Sequence, residues 1–548
     1  MPAGYERGKT KFIITTGTVM SGLGKGIFSS SLAQLLQAKG LTVAPIKLEG
    51  YLNIDSGTLN PFRHGEVFVL DDGTECDMDL GTYERFLNLQ LSKENFLTAG
   101  RLFSNILERE RKGQYLGRDV QFVPHVTGEV KRVLRSLAMK NKADVVIVEI
   151  GGTVGDIENS YYLEAMRELN YEEGPGNVCF VTLTYILEPG FLGEQKSKAA
   201  QLGIKNLLSM GIQPHIIACR AENPVTEKVR EKISIFSNVP IERVFSSHDV
   251  KSIYLLPLSL HEAKLDEAVL DILSLRDRVT NGEKHLKEWA GLADNILHPD
   301  RELVIGITGK YTWVRDSYAS IIKALEHAGG KAKAKIRLKW IETTEIEKGT
   351  LTVEKAMEEI SGIIVPGGFG KRGTEGKIAC ITYAREHNMP YLGLCFGFQM
   401  AVIEFARNVC SLGGANTTEV DTATPHPVID ILPEQKYIQS LGGNMRLGGR
   451  DVILRPGSKA WELYGKKETV RERFRHRYEC NPAYIDSLEK QGMAFSGWAE
   501  GKQIMQVLEL PKHPYFVGTQ FHPEFTSRPL SSHPLFDGLV AAAMKYKG

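Results

Sequence analysis

Cysteine is scarce in this sequence, with seven residues in 548. Cys76, Cys179, Cys219, Cys380, Cys395, Cys410 and Cys480 are scattered, odd in number and without metal-ligand spacing. That excludes a disulfide framework and a zinc site, and favours a reducing, cytoplasmic compartment. Excess charge of either sign is also lacking: 67 Lys and Arg against 66 Asp and Glu leave a net charge of +1. General nucleic-acid binding, which needs a basic face, is therefore not expected. There is no apolar run long enough to cross a bilayer and no signal-peptide pattern, so no membrane partner is expected either. Internal repeats and low-complexity tracts are missing too. What remains is an ordinary globular composition in a chain too long for one core, so two or more domains are expected.

Apolar strand-like runs alternate with amphipathic stretches in the first half. Phe12 to Thr16, Val43 to Ile46, Val145 to Ile150, Val178 to Leu183 and His215 to Cys219 read as strands. Pro45 marks the second of these as a possible edge strand. The alternation predicts a doubly wound, mostly parallel α/β sheet. A second series opens with Leu303 to Ile307 and continues through Ile363 to Val365. Between the two, a charged and weakly periodic stretch with a helix over Lys284 to Ala293 reads as a linker. The expected domains are 1–275, a linker over 276–300, and 301–548.

Gly393-Leu394-Cys395-Phe396-Gly397-Phe398-Gln399 places a cysteine on a glycine-bounded turn between the strand at Tyr391-Leu392 and a helix. A thiol at a helix N-terminus is activated as a thiolate nucleophile. An isolated cysteine is more often a buried, inert thiol, but two further segments match. Phe521-His522-Pro523-Glu524-Phe525 offers a base and a carboxylate to orient it. Ile363 to Gly370 is an apolar strand ending in a Gly-rich turn whose N–H groups can form an oxyanion hole. Elbow, hole and dyad together resemble the class I glutamine amidotransferase domain. The resemblance implies Cys395 as nucleophile, His522 as base, Glu524 as its partner and glutamine as donor.

Near the N-terminus, Gly17 to Gly26 (Gly-Thr-Val-Met-Ser-Gly-Leu-Gly-Lys-Gly) follows one predicted strand and precedes a helix. Such a loop cradles phosphates, with Lys25 reaching the β- and γ-phosphates. The usual Ser or Thr after the lysine is replaced by Gly26, so no hydroxyl is supplied there for Mg²⁺. Carboxylates elsewhere must then hold the ion. Asp79 and Glu149 are the candidates, Glu149 because charge is unusual in a buried strand and ligands gather at strand carboxyl ends.

Ser21 to Ile27, His64 to Val69, Gly81 to Phe86 and Glu149 to Glu158, taken with the amidotransferase half, closely resemble the CTP synthase family from Lys11 to about Phe536. The resemblance implies ATP-dependent amination of UTP to CTP, with ammonia carried from Cys395 through an internal tunnel to a 4-phosphorylated UTP. It implies ATP contacts at Gly22, Leu23, Gly24, Lys25, Gly26 and Ile27, at Asp79, and at His248, Asp249 and Val250. Mg²⁺ falls on Asp79 and Glu149, and Lys47 lies near the reacting phosphate. Ser21, Asp156, Ile157, Glu158, Lys196, Gln201 and Lys232 match UTP and CTP positions, the segment 156–158 being the CTP feedback site. Gly368, Phe396, Gly397, Phe398, Gln399, Glu419 and Arg477 match glutamine-binding positions. GTP is implied as allosteric activator, with Phe369 and Arg477 as contacts, and His64 as a tunnel-lining residue. A homotetramer, a dimer of dimers, is implied as the assembly.

Two segments depart from the family. Glu49-Gly50 stands where Asp-Pro is usual, and Lys198-Ala199-Ala200 replaces Lys-Pro-Thr. Two alternatives are a cobyrinic or cobyric acid synthase, and a catalytically silent nucleotide-binding assembly protein. Asp156-Ile157-Glu158 and the complete His522-Glu524 pair favour UTP over a corrinoid. Retention of Cys395, His522, Lys25, Asp79 and Glu149 together favours an enzyme.

Overall fold

The structure, a computed structural model, describes residues 1–190, 193–280, 282–309, 315–431, 445–501 and 504–547. It divides into two compact units, Met1–Ser56 with Asp79–Ala293, and Gly57–Met78 with Asp294–Gly548.

The first unit is built on seven parallel strands in the spatial order Phe96–Thr98, Val43–Glu49, Val145–Ile150, Lys11–Gly17, Val178–Tyr185, Ile216–Ala221, Val244–His248. From Lys11–Gly17 the chain winds outward through Val43–Glu49 to Phe96–Thr98, returns to insert Val145–Ile150, then crosses to the other side. This reversal makes the carboxyl ends of the central strands the natural place for a ligand. Residues 145–150 are all buried, as their unbroken apolar character requires of a parallel strand covered on both faces. Pro45 does not make an edge. Its strand pairs on both sides, but pairing with Phe96–Thr98 begins only at Lys47, so no ladder N–H is needed at Pro45. Asn95 Nδ2 donates to the Pro45 carbonyl instead, at 2.8 Å.

The stretch expected as a linker contains the expected helix. Helix Glu283–Leu297 buries Trp289, whose Nε1 donates to the Tyr254 carbonyl at 2.7 Å and whose ring lies 5.5 Å from Phe86. Asn281, at its start, lies outside the described residues.

The second unit has a nine-stranded sheet. Ala334–Glu342, Arg301–Gly309, Gly362–Val365, Tyr391–Leu394 and Phe516–Thr519 run parallel. Met505–Glu509, Ala494–Trp498, Arg446–Leu454 and Thr469–His476 extend it antiparallel, a half of the sheet not anticipated from the sequence. The hairpin Val67–Val69 and Glu75–Asp77, although inside the span expected of the first domain, packs here. Arg471 grips Asp71 through Nε and Nη2, Arg473 Nη1 donates to the Val69 carbonyl at 3.1 Å, and Arg475 Nε donates to Glu75 at 2.8 Å. A Cβ at Gly449 would fall 2.0 Å from the Asp71 carboxylate, so the close approach requires glycine.

Candidate functional site

In the first unit the phosphate loop lies between strand Lys11–Gly17 and helix Lys25–Ala38, with Gly22 and Gly24 at φ of 73° and 77°. Ser21 and Gly22 are exposed, Leu23 is buried and Ile27 is half-buried. Lys25, buried at the helix start, donates from Nζ to the Gly152 carbonyl at 2.7 Å. Burial, then the neighbouring Lys47 ammonium, lowers its pKa, against Glu149, Glu49 and Asp79, which raise it.

Strand register places Lys47 directly beside Glu149 on neighbouring strands. Lys47 Nζ lies 2.7 Å from Glu149 Oε1, 2.5 Å from Asp79 Oδ2 and 3.3 Å from Glu49 Oε1. Helix Met78–Leu87 supplies Asp79 and, one turn on, Tyr83, whose hydroxyl donates to Glu149 Oε2 at 3.0 Å. Burial is the largest influence on Glu149 and Glu49 and raises both carboxyl pKa values, with Lys47 opposing and the other carboxylates reinforcing. Three carboxylates, Glu149 buried and Glu49 and Asp79 half-buried, thus crowd the Lys47 ammonium. The site is short of positive charge.

Gly26 explains itself here. A Cβ at that position would lie 2.4 Å from Asp79 Oδ1, so the carboxylate occupies the space a Walker hydroxyl would fill. Glu49-Gly50 is accommodated too: Glu49 joins the cluster, while a Cβ at Gly50 would press on Glu158 at 2.9 Å. The other nucleotide positions lie farther apart. His248 to Val250 close strand Val244–His248, three strands from the loop, about 14 Å by strand spacing. There Asp249 pairs with Arg220, and Ser246 Oγ meets His248 Nδ1 at 3.2 Å. Asp156, Ile157 and Glu158 are exposed at the turn before helix Ser160–Glu173, and Thr153 N–H donates to Asp156 Oδ2 at 2.7 Å. Lys196 pairs with Glu194, whose carboxyl pKa is lowered by Lys196 first and also by Lys228 and Lys232. Lys228 and Lys232, on helix Glu227–Ser237, act on the same carboxylate, and at the start of helix Lys198–Ser209 Gln201 Nε2 donates to Ser197 Oγ at 3.0 Å. Lys198 reaches over the Phe236 ring and Ala200 is buried, which is all the structure says of that departure.

In the second unit Cys395 joins strand Tyr391–Leu394 to helix Phe396–Asn408 at φ 49°, ψ −96°. Such backbone costs about 1–3 kcal/mol and is held only by close packing. A Cβ at Gly397 would lie 2.0 Å from the Val365 carbonyl, and Cys395 N–H donates to the Thr519 carbonyl at 2.7 Å. Phe396 and Phe398 are buried, so their side chains serve the core. Burial pushes Cys179, Cys219 and Cys380 up to about 12, as inert thiols. Cys395 has different neighbours.

His522 Nδ1 lies 2.7 Å from Glu524 Oε1, and its ring stacks on Phe525 with centroids 4.9 Å apart. Phe525 in turn packs edge-on against Phe68 of the hairpin, at 5.0 Å. Burial opposes the imidazolium, but Glu524 and the Cys395 sulfur outweigh it and hold the pKa up to about 10. Among the described residues His522 Nε2 closes no hydrogen bond to a protein atom. Catalytic pairs are often loose until substrate docks. Gly367, on the expected oxyanion loop, touches both partners: a Cβ there would lie 3.0 Å from His522 Cε1 and 3.7 Å from Cys395 Cβ.

Gly370 N–H donates to Glu419 Oε1 at 2.9 Å, joining that loop to Glu419. Glu419 and Arg477 both act on Tyr478, whose pKa is raised by burial first, then by Glu419, and lowered by Arg477. Gly368 adjoins Lys377, Phe369 is exposed, and His64 is exposed on the short helix Pro61–His64.

Among the described residues no three His, Cys, Asp or Glu side chains converge as a closed metal site. Tyr83 and the strand Val67–Val69 lie inside motifs that the sequence shares with the family, but their contacts, and Gln520 altogether, have no signal in those motifs. Arg471, Arg473 and Arg475, spaced by two along one strand, were the available signal for the hairpin.

A model described as the CTP synthase N-terminus matches residues 11–275, and one described as glutamine amidotransferase class-I matches 313–542. A CTP synthase from Pyrococcus abyssi is 50% identical over 540 residues, 98% of each chain. This chain belongs to the CTP synthase family. The CTP synthase of Caldanaerobacter subterraneus subsp. tengcongensis, 48% identical, is covered over 99% of its length and 98% of this chain. The solved glutaminase domain of Trypanosoma brucei CTPS with bound acivicin aligns with 45% of this chain and 95% of its own, at 34% identity and a TM-score of 0.42.

Within that family the dyad makes a pH prediction. The folded pKa of His522, about 10, exceeds the ordinary 6.5, so its ion pair contributes fully below pH 6.5 and is lost as pH rises through 10. Replacing Glu524 by Gln removes one of the two groups that hold the proton. The alkaline limb of glutamine hydrolysis should then move down by about one to three pH units, and ammonia-dependent turnover should keep its limb. An unmoved limb in rate–pH profiles would separate Glu524 from the base.

Proposed function

We propose that this chain makes CTP from UTP, with ATP as co-substrate and glutamine as the amide donor, dividing the chemistry between its units. The observation that carries this is the lysine-centred carboxylate cluster beside a phosphate loop in a chain that also carries a thiol elbow with a buried His-Glu pair.

Glu419 and Arg477 hold the α-ammonium and α-carboxylate of glutamine, with Gln399 and the N–H groups of Gly368 and Phe396 to Phe398 around its side chain. Cys395 attacks the amide carbon and the oxyanion settles on the N–H groups of the Gly367-Gly368 turn. His522, oriented by Glu524, gives its proton to the departing ammonia and then activates water to release glutamate.

In the first unit Ser21 to Ile27 cradle ATP, His248 to Val250 receive its adenine, and Lys25 faces the transferring phosphoryl group. The UTP 4-oxygen attacks the γ-phosphorus and ADP leaves. Ammonia then adds at C4, a proton is lost, and the C–O bond breaks to release phosphate. Asp79 and Glu149 are hard oxygen donors in a site short of positive charge, which fits Mg²⁺ held by two carboxylates and substrate phosphates rather than by a closed cage. When bound, that ion supplies charge neutralisation for the phosphates. Lys47 keeps the carboxylates ionised and aligned.

Lys196, Gln201 and Lys232 bind the triphosphate of UTP or CTP across a homotetramer, a dimer of dimers. Asp156, Ile157 and Glu158 read CTP as feedback inhibitor. GTP activates through Phe369 and Arg477, and the enzyme works in the cytoplasm. UTP labelled with heavy oxygen at position 4 tests the scheme: the label should appear in phosphate. Label released as water would overturn activation by phosphoryl transfer.

A further inference from the structure

Gln520 immediately precedes the Phe521-His522 pair and is fully buried. Its Nε2 lies 3.6 Å from Cys395 Sγ, within reach of an N–H···S hydrogen bond. Which end of an amide faces a neighbour is ordinarily ambiguous, but here the surroundings decide it. The Tyr478 carbonyl can only accept, so the group it faces at 2.9 Å must be the NH₂ of Gln399. That same Nε2 lies 3.3 Å from the Gln520 side chain, which must therefore present its oxygen. The NH₂ of Gln520 is left pointing at the sulfur.

We infer that Gln520 is a catalytic residue of glutamine hydrolysis, donating an amide N–H to the Cys395 thiolate and fixing it for attack. The sulfur meets two fixed partners of opposite preference. The Arg475 carbonyl, 3.6 Å away, accepts from the neutral thiol and disfavours the anion. The Gln520 amide donates and favours the anion. His522 is the charged group that faces the sulfur, and Glu524 stands behind it. Removing the amide leaves the carbonyl unopposed, so less thiolate is present and it is less well held. The same hydrogen-bond chain leaves Gln399 Oε1 buried with no partner among the described residues, available to accept an N–H from the substrate amide.

The inference rests on Cys395 being the nucleophile, so the experiment includes Cys395→Ala. Gln520→Met keeps the bulk and removes the donor, while Gln520→Glu sets a carboxylate against the thiolate. Iodoacetamide alkylation of Cys395 is followed against pH in the full-length enzyme, with glutamine- and ammonia-dependent CTP formation measured alongside. A hydrogen bond to a charged group predicts a loss of about ten- to hundredfold in glutamine-dependent kcat for Gln520→Met. Its alkylation midpoint should move to higher pH, that of Gln520→Glu should move further, and ammonia-dependent rates should stay within about twofold of the parent. A purely structural role would not order the two midpoints in this way. Unchanged midpoints, or both variants hydrolysing glutamine at the parental rate while Cys395→Ala does not, would overturn the role of Gln520 alone. Glutamine-dependent synthesis by Cys395→Ala would overturn the nucleophile, and Gln520 with it.

Discussion

Replacing Cys395 by alanine should abolish CTP formation from glutamine and leave formation from ammonia close to the parental rate. The strained backbone at Cys395, its donor to Thr519 and the His522-Glu524 pair converge on one sulfur, and no other thiol has such surroundings among the described residues. Loss of a covalent nucleophile typically lowers kcat by at least about 10⁴-fold, because the remaining groups have nothing to activate. Alanine removes one small atom from a helix start whose packing is set by Gly397 and Val365, so the fold is expected to survive. Ammonia supplied in the medium bypasses the step. CTP formation measured with each nitrogen source decides the matter. Equal loss with both sources would make Cys395 a structural residue and remove the glutaminase assignment.

The second large effect is expected at Lys47. Replacing it by methionine leaves Glu49, Asp79 and Glu149 facing one another without their shared ammonium. Deleting one partner of a buried ion pair costs about 3–5 kcal/mol, so the melting temperature of the first unit should fall by about 10 °C. The deficit should depend on pH in a definite sense. Burial already raises the pKa values of Glu149 and Glu49, and Lys47 is the strongest group opposing the rise. Without it both rise further, so the folded unit binds more protons than the unfolded chain and loses stability as pH increases. The variant should therefore be weaker at pH 8 than at pH 6. Millimolar Mg²⁺ should recover part of the lost melting temperature in Lys47→Met and little in the parent, since binding to the folded state is what stabilises it. Synthesis should fall at least about a hundredfold with either nitrogen source, because the defect lies in phosphoryl transfer. Unchanged melting in calorimetry, with no response to Mg²⁺, would refute Lys47 as the cation of this cluster.

Both predictions rest on residues that the sequence itself makes conspicuous. The elbow at Cys395, the His522-Glu524 pair and the loop ending at Lys25 are contiguous motifs, and contiguous chemistry can be read along the chain. Asp79 and Glu149 stand out because the loop lacks a hydroxyl and because Glu149 is a charge in an apolar strand, but their meeting at Lys47 depends on strand register and on the start of one helix. The edge assignment for Pro45 failed because the neighbouring strand starts two residues later, a fact that belongs to the neighbour. The helix carrying Trp289 is legible in the chain, but the partners of Trp289, Tyr254 and Phe86, are far away in sequence and no local pattern shows them.

Sequence alone pointed to the parallel strands that lead into both candidate sites and to the two chemistries of the family, since periodicity and motif spacing are properties of local chain. Only the tertiary structure decided that Gly57–Met78 packs with the second unit, that Gly26 makes room for Asp79, and that Gln520 turns its amide toward the sulfur. These depend on close approach between segments distant along the chain. Such contacts are set by packing and hydrogen-bond geometry, which no stretch of residues encodes by itself.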